Sequence, residues 1–195
     1  MILSIAHVCQ HPHQTFWENL EISVQLHNIK KVIVINHRDC GGANGEAYFW
    51  DVTDPSKMVI IDTITVDART VNDVKVSEDG RVGIISREGA SNRKNGFIVL
   101  DVTDPYNVKI TAEYNDDMTG GVHNVFIYDN HVYAVNNGRK YDIINIEDPS
   151  NPFRVGVYEL GTPGHSIHDV WVEDGIAYSL WLCPLVHTPC HTLAL

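Results

Sequence analysis

The string Asp51-Val-Thr-Asp-Pro55 returns as Asp101-Val-Thr-Asp-Pro105 and, more loosely, as Asn145-Ile-Glu-Asp-Pro149, at intervals of 50 and 44 residues. A second string keeps step with it: Val71-Asn-Asp-Val-Lys-Val76, Val122-His-Asn-Val-Phe-Ile127 and Ile167-His-Asp-Val-Trp-Val172, at intervals of 51 and 45. Two markers that shift together define a repeat, and a repeat constrains a fold more than any composition does. Each copy is one supersecondary unit that must bury its faces against its neighbours.

The unit reads as β. Val74 and Val76, like Val125 and Ile127, alternate with other residues at the period of a pleated strand. Glu78-Asp-Gly80, Tyr128-Asp-Asn130 and Glu173-Asp-Gly175 follow the second string, and Asp-Gly or Asp-Asn supplies the positive φ that tight hairpins need. Return strands are expected over Arg81–Ser86, His131–Asn136 and Ile176–Leu180, with further strands at Phe97–Val102 and Lys109–Tyr114. In Thr-Asp-Pro the Asp accepts a local backbone bond and the Pro presets φ, so the string is a turn. The order is strand, hairpin, strand, loop, strand, turn, strand: a four-stranded antiparallel unit of about 45 residues, the size of a propeller blade.

Residues 47–180 resemble the LVIVD-repeat family of β-propellers. The resemblance rests on Phe97-Ile-Val-Leu-Asp-Val-Thr-Asp-Pro105 and Tyr141-Asp-Ile-Ile-Asn-Ile-Glu-Asp-Pro149, with Gly120-Gly-Val-His-Asn124 and Gly164-His-Ser-Ile-His-Asp169. It implies a propeller and no particular chemistry, and such proteins are usually exported or surface-associated. No export signal is legible here: the opening MILSIAHVCQHPH lacks a basic n-region and a long apolar stretch, so the chain as it stands is expected in the cytoplasm.

In a propeller the first strand of each blade lines the central channel. Asn72, His123 and His168 occupy one repeat position, Asp73, Asn124 and Asp169 the next, and His165 lies three residues before His168. They are the candidate ligand-binding residues, converging on the axis to hold a metal or a small polar ligand. The competing reading is that they are repeat residues hydrogen-bonding neighbouring blades. Arg87, Arg93, Lys94 and Asn95 are read as part of a solvated loop over Arg87–Gly96.

The ends have other compositions. Residues 1–46 read as a βαβ fragment: strands at Ile2–Val8 and Lys31–Asn36 around a helix over Phe16–Ile29, with Thr15 and Glu18 as its capping box. Val24–Ala43 resembles β-class carbonic anhydrases, in which an apolar strand leads into His-x-x-Cys-Gly, here His37, Cys40 and Gly41. That resemblance implies a Zn²⁺ held by His37 and Cys40 that hydrates CO₂. Two ligands leave the site incomplete, because a catalytic zinc takes three protein ligands and a water. Residues 181–195 form an uncharged tail, expected to be irregular, with Cys183, His187, Cys190 and His191 at no common zinc-finger spacing.

The net charge of −11 argues against nucleic acid as a partner, and no apolar run is long enough to span a bilayer. The fold expected is therefore mainly β: an incomplete propeller of about three blades after an N-terminal βαβ fragment. Its function is expected to be binding or scaffolding of an unknown small ligand or protein. The alternatives are a carbonic-anhydrase-like zinc lyase, or a truncated or fused product without a function of its own. Three blades are fewer than the 4–8 of closed rings, so self-association through open blade edges is expected as well.

Overall fold

The computed structural model describes residues 2–8, 31–36, 45–161, 163, 165–182 and 193–194. They form four small sheets in sequence, called here blades I to IV. Blade I holds β1 (Ile2–Val8), β2 (Lys31–Asn36), β3 (Gly45–Asp51) and β4 (Val59–Val66); blade II holds β5 (Val74–Val76), β6 (Val82–Arg87), β7 (Gly96–Asp101) and β8 (Lys109–Tyr114). Blade III holds β9 (Val122–Tyr128), β10 (His131–Asn136), β11 (Lys140–Asn145) and β12 (Phe153–Glu159). Blade IV holds β13 (Ser166–Glu173), β14 (Ile176–Leu182) and β15 (Leu193–Ala194). The expected order of strands is present in blades II and III. Among the described residues there is no α-helix, only a 3-10 turn at Pro55–Lys57. The expected helix over Phe16–Ile29 lies outside the described residues, and no described helix is long and apolar enough to cross a membrane.

The incomplete propeller has four sheets rather than three. The strands β3 and β4, which flank the first Asp-x-x-Asp-Pro string, are the outer half of a blade. Its inner half comes from β1 and β2, which the sequence reading set apart from the repeat. β2 pairs antiparallel with β3, while β1 and β2 pair in parallel, as expected of the two strands of a βαβ unit. Every other strand pair is antiparallel. β14 continues to Leu182, and Leu193–Ala194 of the tail pairs with Tyr178 and Ser179; residues 183–192 lie outside the described residues.

The turn strings fold the same way three times. The first Asp or Asn accepts the N–H two residues on: Thr53 to Asp51 at 2.9 Å, Thr103 to Asp101 at 3.0 Å, Glu147 to Asn145 at 3.0 Å. The second Asp does likewise, from Ser56 to Asp54 (3.1 Å), Tyr106 to Asp104 (3.1 Å) and Ser150 to Asp148 (3.0 Å). Two successive side-chain turns thus reverse the chain between the third and fourth strands. The hairpins carry the positive φ expected of them, at Gly80, at Asp129 with Asn130, and at Asp174 with Gly175. The repeat extends to its irregularities: the third and fourth strands slip register at Phe49/Trp50, Val99/Leu100 and Ile143/Ile144, leaving Ile61, Thr111 and Val155 as bulged residues.

The core lies between sheets. Ala47 and Phe49 of blade I pack with Val74, Ile85, Ile98 and Leu100 of blade II. Phe97, Val99 and Tyr114 of blade II pack with Val125, Val132 and Ala134 of blade III, and Phe97 stacks on Tyr114 at 5.2 Å. Val135 and Tyr141 of blade III pack with Ile167, Val170 and Val172 of blade IV. Each buried Val, Leu, Ile or Phe among them is worth about 1.5–3 kcal/mol against exposure, while solvent screens exposed ion pairs such as Lys57–Asp54. Apolar packing across blades therefore dominates stability.

One glycine is tightly constrained. Gly96, where the loop enters β7, has φ 117°, and a Cβ there would sit 2.0 Å from the Tyr114 carbonyl oxygen. Gly96→Ala is expected to lower unfolding stability by about 1–3 kcal/mol, measured by urea denaturation. An unchanged midpoint would refute this account of the loop.

Candidate functional site

The second strings place their polar pairs at the start of β5, β9 and β13, the strands that contact one another from blade II to blade IV. At the first position Asn72 is half-buried, while His123 and His168 are exposed. Their rings meet edge to face, 5.0 Å between centroids, across the junction of blades III and IV. The structure therefore brings Asn72, His123 and His168 to one end of adjacent blades.

The group that joins Asn72 to His123 is Glu88, which sequence reasoning missed. It accepts from Asn72 Nδ2 at 2.6 Å and from Arg69 at 3.0 Å, and lies 3.7 Å from His123 Nδ1. Glu88 does not recur in the repeat: Asn137 stands at the matching place in blade III, its N–H bonded to the Gly121 carbonyl as that of Glu88 is to the Thr70 carbonyl. A search for recurring residues cannot find it. Gly121 makes room: it has φ 90°, and a Cβ there would approach Glu88 Cγ to 2.9 Å. The imidazole of His123 is raised above its ordinary value by Glu88, against a smaller opposing effect of burial, with Asp73 and Asp169 adding to the rise. Glu88 in turn is held below the usual carboxylate range, chiefly by His123 and by Asn72.

At the second position the three residues part ways. Asp73 is buried, and accepts from Val74 N–H at 2.9 Å, from Lys75 Nζ at 3.2 Å and, across the blade junction, from Val125 N–H at 3.0 Å. Burial raises its pKa, and Lys75 and the two N–H groups oppose that. Ser86 Oγ holds the strand end from behind, accepting from the N–H groups of Asn72 and Asp73. Asp169 repeats the local half of the arrangement, accepting from Val170 N–H at 2.7 Å. Asn124 is different: its Oδ1 is buried with no hydrogen-bond partner among the described residues. An amide offers one acceptor oxygen where a carboxylate offers two, and here that oxygen serves neither its own strand nor the next among the described residues. His165 contributes its backbone carbonyl, which accepts from Arg139 at 2.6 Å across the junction of blades III and IV.

The polar loop is a correction. Ser91–Lys94 are exposed, but Arg87 and Asn95 are buried. Arg87 pairs with Glu113 at 2.8 Å and also donates to the Lys94 carbonyl. Asn95 accepts from Ala90 N–H and donates to the Thr119 carbonyl at 2.8 Å. The loop is pinned by these bonds to the strand and to the linker of the next blade, and of the buried guanidinium only Nε has no partner among the described residues. A second network missed by sequence lies in blade III, where Asp142, fully buried, accepts from Arg154 at 3.1 Å and from Asn136 at 2.9 Å.

A cleft of about 830 Å³ between blades II and III is lined by Glu78, Asp79, Asp101, Asp129 and Glu147, with Arg81. Asp79 is pulled down to about 2 by Ser77 and Arg81. Among the described residues no group of three or more His, Cys, Asp or Glu is placed to hold a metal ion. His37 and Cys40, the candidate zinc ligands, lie outside the described residues.

The chain is similar in structure to the hydrazine synthase of Kuenenia stuttgartiensis, with a TM-score of 0.58 at 11% identity, over 82% of this chain and 57% of that one. It is similar also to a hypothetical selenium-binding protein from Sulfolobus tokodaii, with a TM-score of 0.51 at 16% identity, over 69% and 37%. The chain thus spans less than two thirds of either. At such identities the likeness is one of fold, β-propeller-like, and extends to no activity. No family model and no curated protein sequence matches the chain.

The bonds at the strand ends yield two expectations. Asp73→Asn leaves one of two buried N–H donors without an acceptor, at a cost of about 1–3 kcal/mol. The amide of Val74 or that of Val125 should then exchange faster than in the parent, and unchanged exchange of both would refute this pair of bonds. For the His123–Glu88 pair the sign is set by both shifts. A raised His123 stabilises below its ordinary 6.5 and ceases to as pH rises through its folded value. A lowered Glu88 stabilises above its ordinary 4.5 and ceases to as pH falls through its folded value. The pair therefore contributes most between about pH 4.5 and 6.5. NMR titration should find His123 above 6.5, and Glu88→Gln should lower it.

Proposed function

We propose that this chain is a non-catalytic binding or scaffolding module of the LVIVD-repeat kind. Residues 47–180 are its propeller-like segment, residues 1–46 a βαβ fragment resembling β-class carbonic anhydrases, and residues 181–195 an uncharged tail. The observation that carries the reading is the bond from Val125 N–H to Asp73. A carboxylate at the inner strand end spends one oxygen on its own strand and the other on the next blade, where a catalytic carboxylate would face a substrate. Asn72 and Glu88 are engaged in the same region, so this polar cluster serves first to tie blades together.

The ligand surface belongs to what remains accessible there. His123 and His168 are exposed and adjacent, and with Arg69 and Glu88 they form a rim of mixed charge suited to a small polar ligand. Recognition at this rim, with no bond made or broken, is the function that the geometry supports best.

The test sets this reading against zinc-dependent CO₂ hydration. Metal analysis of the purified chain and a stopped-flow CO₂ hydration assay are expected to find no stoichiometric zinc and no rate above buffer. One zinc per chain, with hydration lost in Cys40→Ser, would overturn the proposal. Calorimetric titration with inorganic phosphate and with divalent cations locates the rim: any binding heat should vanish in the His123→Ala/His168→Ala double variant. Heat that survives in it would place recognition elsewhere.

A further inference from the structure

On the side where the chain reverses between third and fourth strands, two neighbouring junctions are built differently. Between blades I and II the turn of blade II reaches back: the Tyr106 hydroxyl donates to Asp51 at 2.6 Å and the Val108 N–H to Asp62 at 2.7 Å. Counted along the turn strings and the strand register, the matching groups between blades II and III are Ser150, Asp101, Pro152 and Ala112, in that order. Serine lacks the reach of tyrosine, proline has no N–H, and the alanine side chain has no acceptor. Only the carboxylate persists. Asp101 makes its bond inside its own turn, to Thr103 N–H, where Asp51 divides its oxygens between Thr53 N–H and the Tyr106 hydroxyl. The cleft of about 830 Å³ opens at this place, lined by Asp101 from blade II and Ser150 from blade III. Leu100 and Ile146 in its wall are buried, and Val82 and Ile127 pack against the core of the junction. Glu78, Asp79, Asp129 and Glu147 add charge to Asp101, against one guanidinium, that of Arg81, which already pairs with Asp79 at 2.7 Å.

We propose that this cleft binds a small organic cation, an ammonium group on an apolar body. The ammonium donates to Asp101 as the Tyr106 hydroxyl donates to Asp51, and the body rests on the apolar wall. Acidity alone would not point to a ligand. The neighbouring junction does, because there the same carboxylate position takes a donor carried across the gap on an aromatic side chain. The volume of the cleft is that of a small-molecule site. Its excess of carboxylates attracts a cation and repels an anion. Among the described residues no group of three or more His, Cys, Asp or Glu is placed to hold a metal ion, so the match is an ammonium rather than a coordinated metal. The site is distinct from the rim at His123 and His168. Those residues lie at the start of β9 and β13, whereas the cleft takes the hairpins that follow β5 and β9.

NMR titration of the full chain with phenethylammonium chloride tests this, with sodium phenylacetate as the probe of like shape and opposite charge. The ammonium should shift the amides of Thr103, Asn130 and Ser150 saturably, and phenylacetate should not. Ser150→Tyr puts back the side chain that spans the junction of blades I and II, and should abolish binding. Asp101→Asn keeps the turn, since Asn145 makes the same bond in blade III at 3.0 Å, and should weaken binding about tenfold by removing the charge. Glu147→Lys, on an exposed side chain, is the second variant should Ser150→Tyr fail to fold, and should weaken binding as well. The His123→Ala/His168→Ala double variant should bind as the parent does, which separates this cleft from the rim. Absence of a saturable shift at these amides overturns the proposal, as does equal binding of phenylacetate. Parent-like binding in Ser150→Tyr or Asp101→Asn, or binding lost in the histidine double variant, overturns it too.

Discussion

No blade of this protein has a core of its own. A four-stranded sheet has two faces and no thickness, so Phe97, Ile98, Val99 and Leu100, successive residues of one strand, are all fully buried only because sheets lie on both sides. Alternate members of that run belong to two different clusters, Ile98 and Leu100 to the junction with blade I, Phe97 and Val99 to the junction with blade III. A continuous apolar run is what a strand covered on both faces requires. Stability is therefore a sum over junctions, each needing both partners. The outer strands carry the complement: Val59, Ile110, Phe153 and Val155 are exposed on β4, β8 and β12, where the sheets run out of neighbours.

Apolar packing is non-directional and would allow neighbouring sheets to slide. Polar ties set their position. At the junction of blades II and III the tie is Asp73, buried at the inner end and bonded to Val125 N–H. At the junction of blades III and IV, Asn124 stands in its place, and the tie moves to backbone and guanidinium: Ile167 N–H donates to the Gly138 carbonyl at 2.8 Å, and Arg139 to that of His165. His123 adds a pH-dependent element to an otherwise permanent joint, since it faces Glu88, Asp73 and Asp169 together.

Features that recur were legible in the sequence because they are local. The Asp-x-x-Asp-Pro turns and the Asp-Gly and Asp-Asn hairpins are decided by side chains bonding two residues away, so their chemistry is visible in a five-residue window. The position of Asn72, His123 and His168 followed from register alone. Glu88 and the Arg154–Asp142 pair were not legible, for each occurs once and acts across a distance in sequence of 12 residues or more. Arg87 looked like part of a solvated loop because its charge suggested exposure, while Glu113, from β8, gives it a partner that composition cannot reveal. The register slips in the third strands escaped notice too, since Phe49-Trp50, Val99-Leu100 and Ile143-Ile144 share nothing but apolar character.

Blade I shows what the repeat leaves free. Its inner strand is parallel to its second strand, where the inner strands of the other blades run antiparallel to theirs. Ile2–Val8 contains neither Asp nor Asn, so it cannot supply the carboxylate that Asp73 supplies to the next junction. The tie between blades I and II is made instead from the outer half: Val108 N–H donates to Asp62 at 2.7 Å and the Tyr106 hydroxyl to Asp51 at 2.6 Å. Asp51 opens the turn string and closes the junction with the same carboxylate, one oxygen for Thr53 N–H and one for Tyr106. An inner strand of foreign sequence and reversed direction is thus accommodated because the junction it enters is positioned elsewhere. What the inner strand must still provide is an edge that pairs with β2 and a flank that packs beside β5.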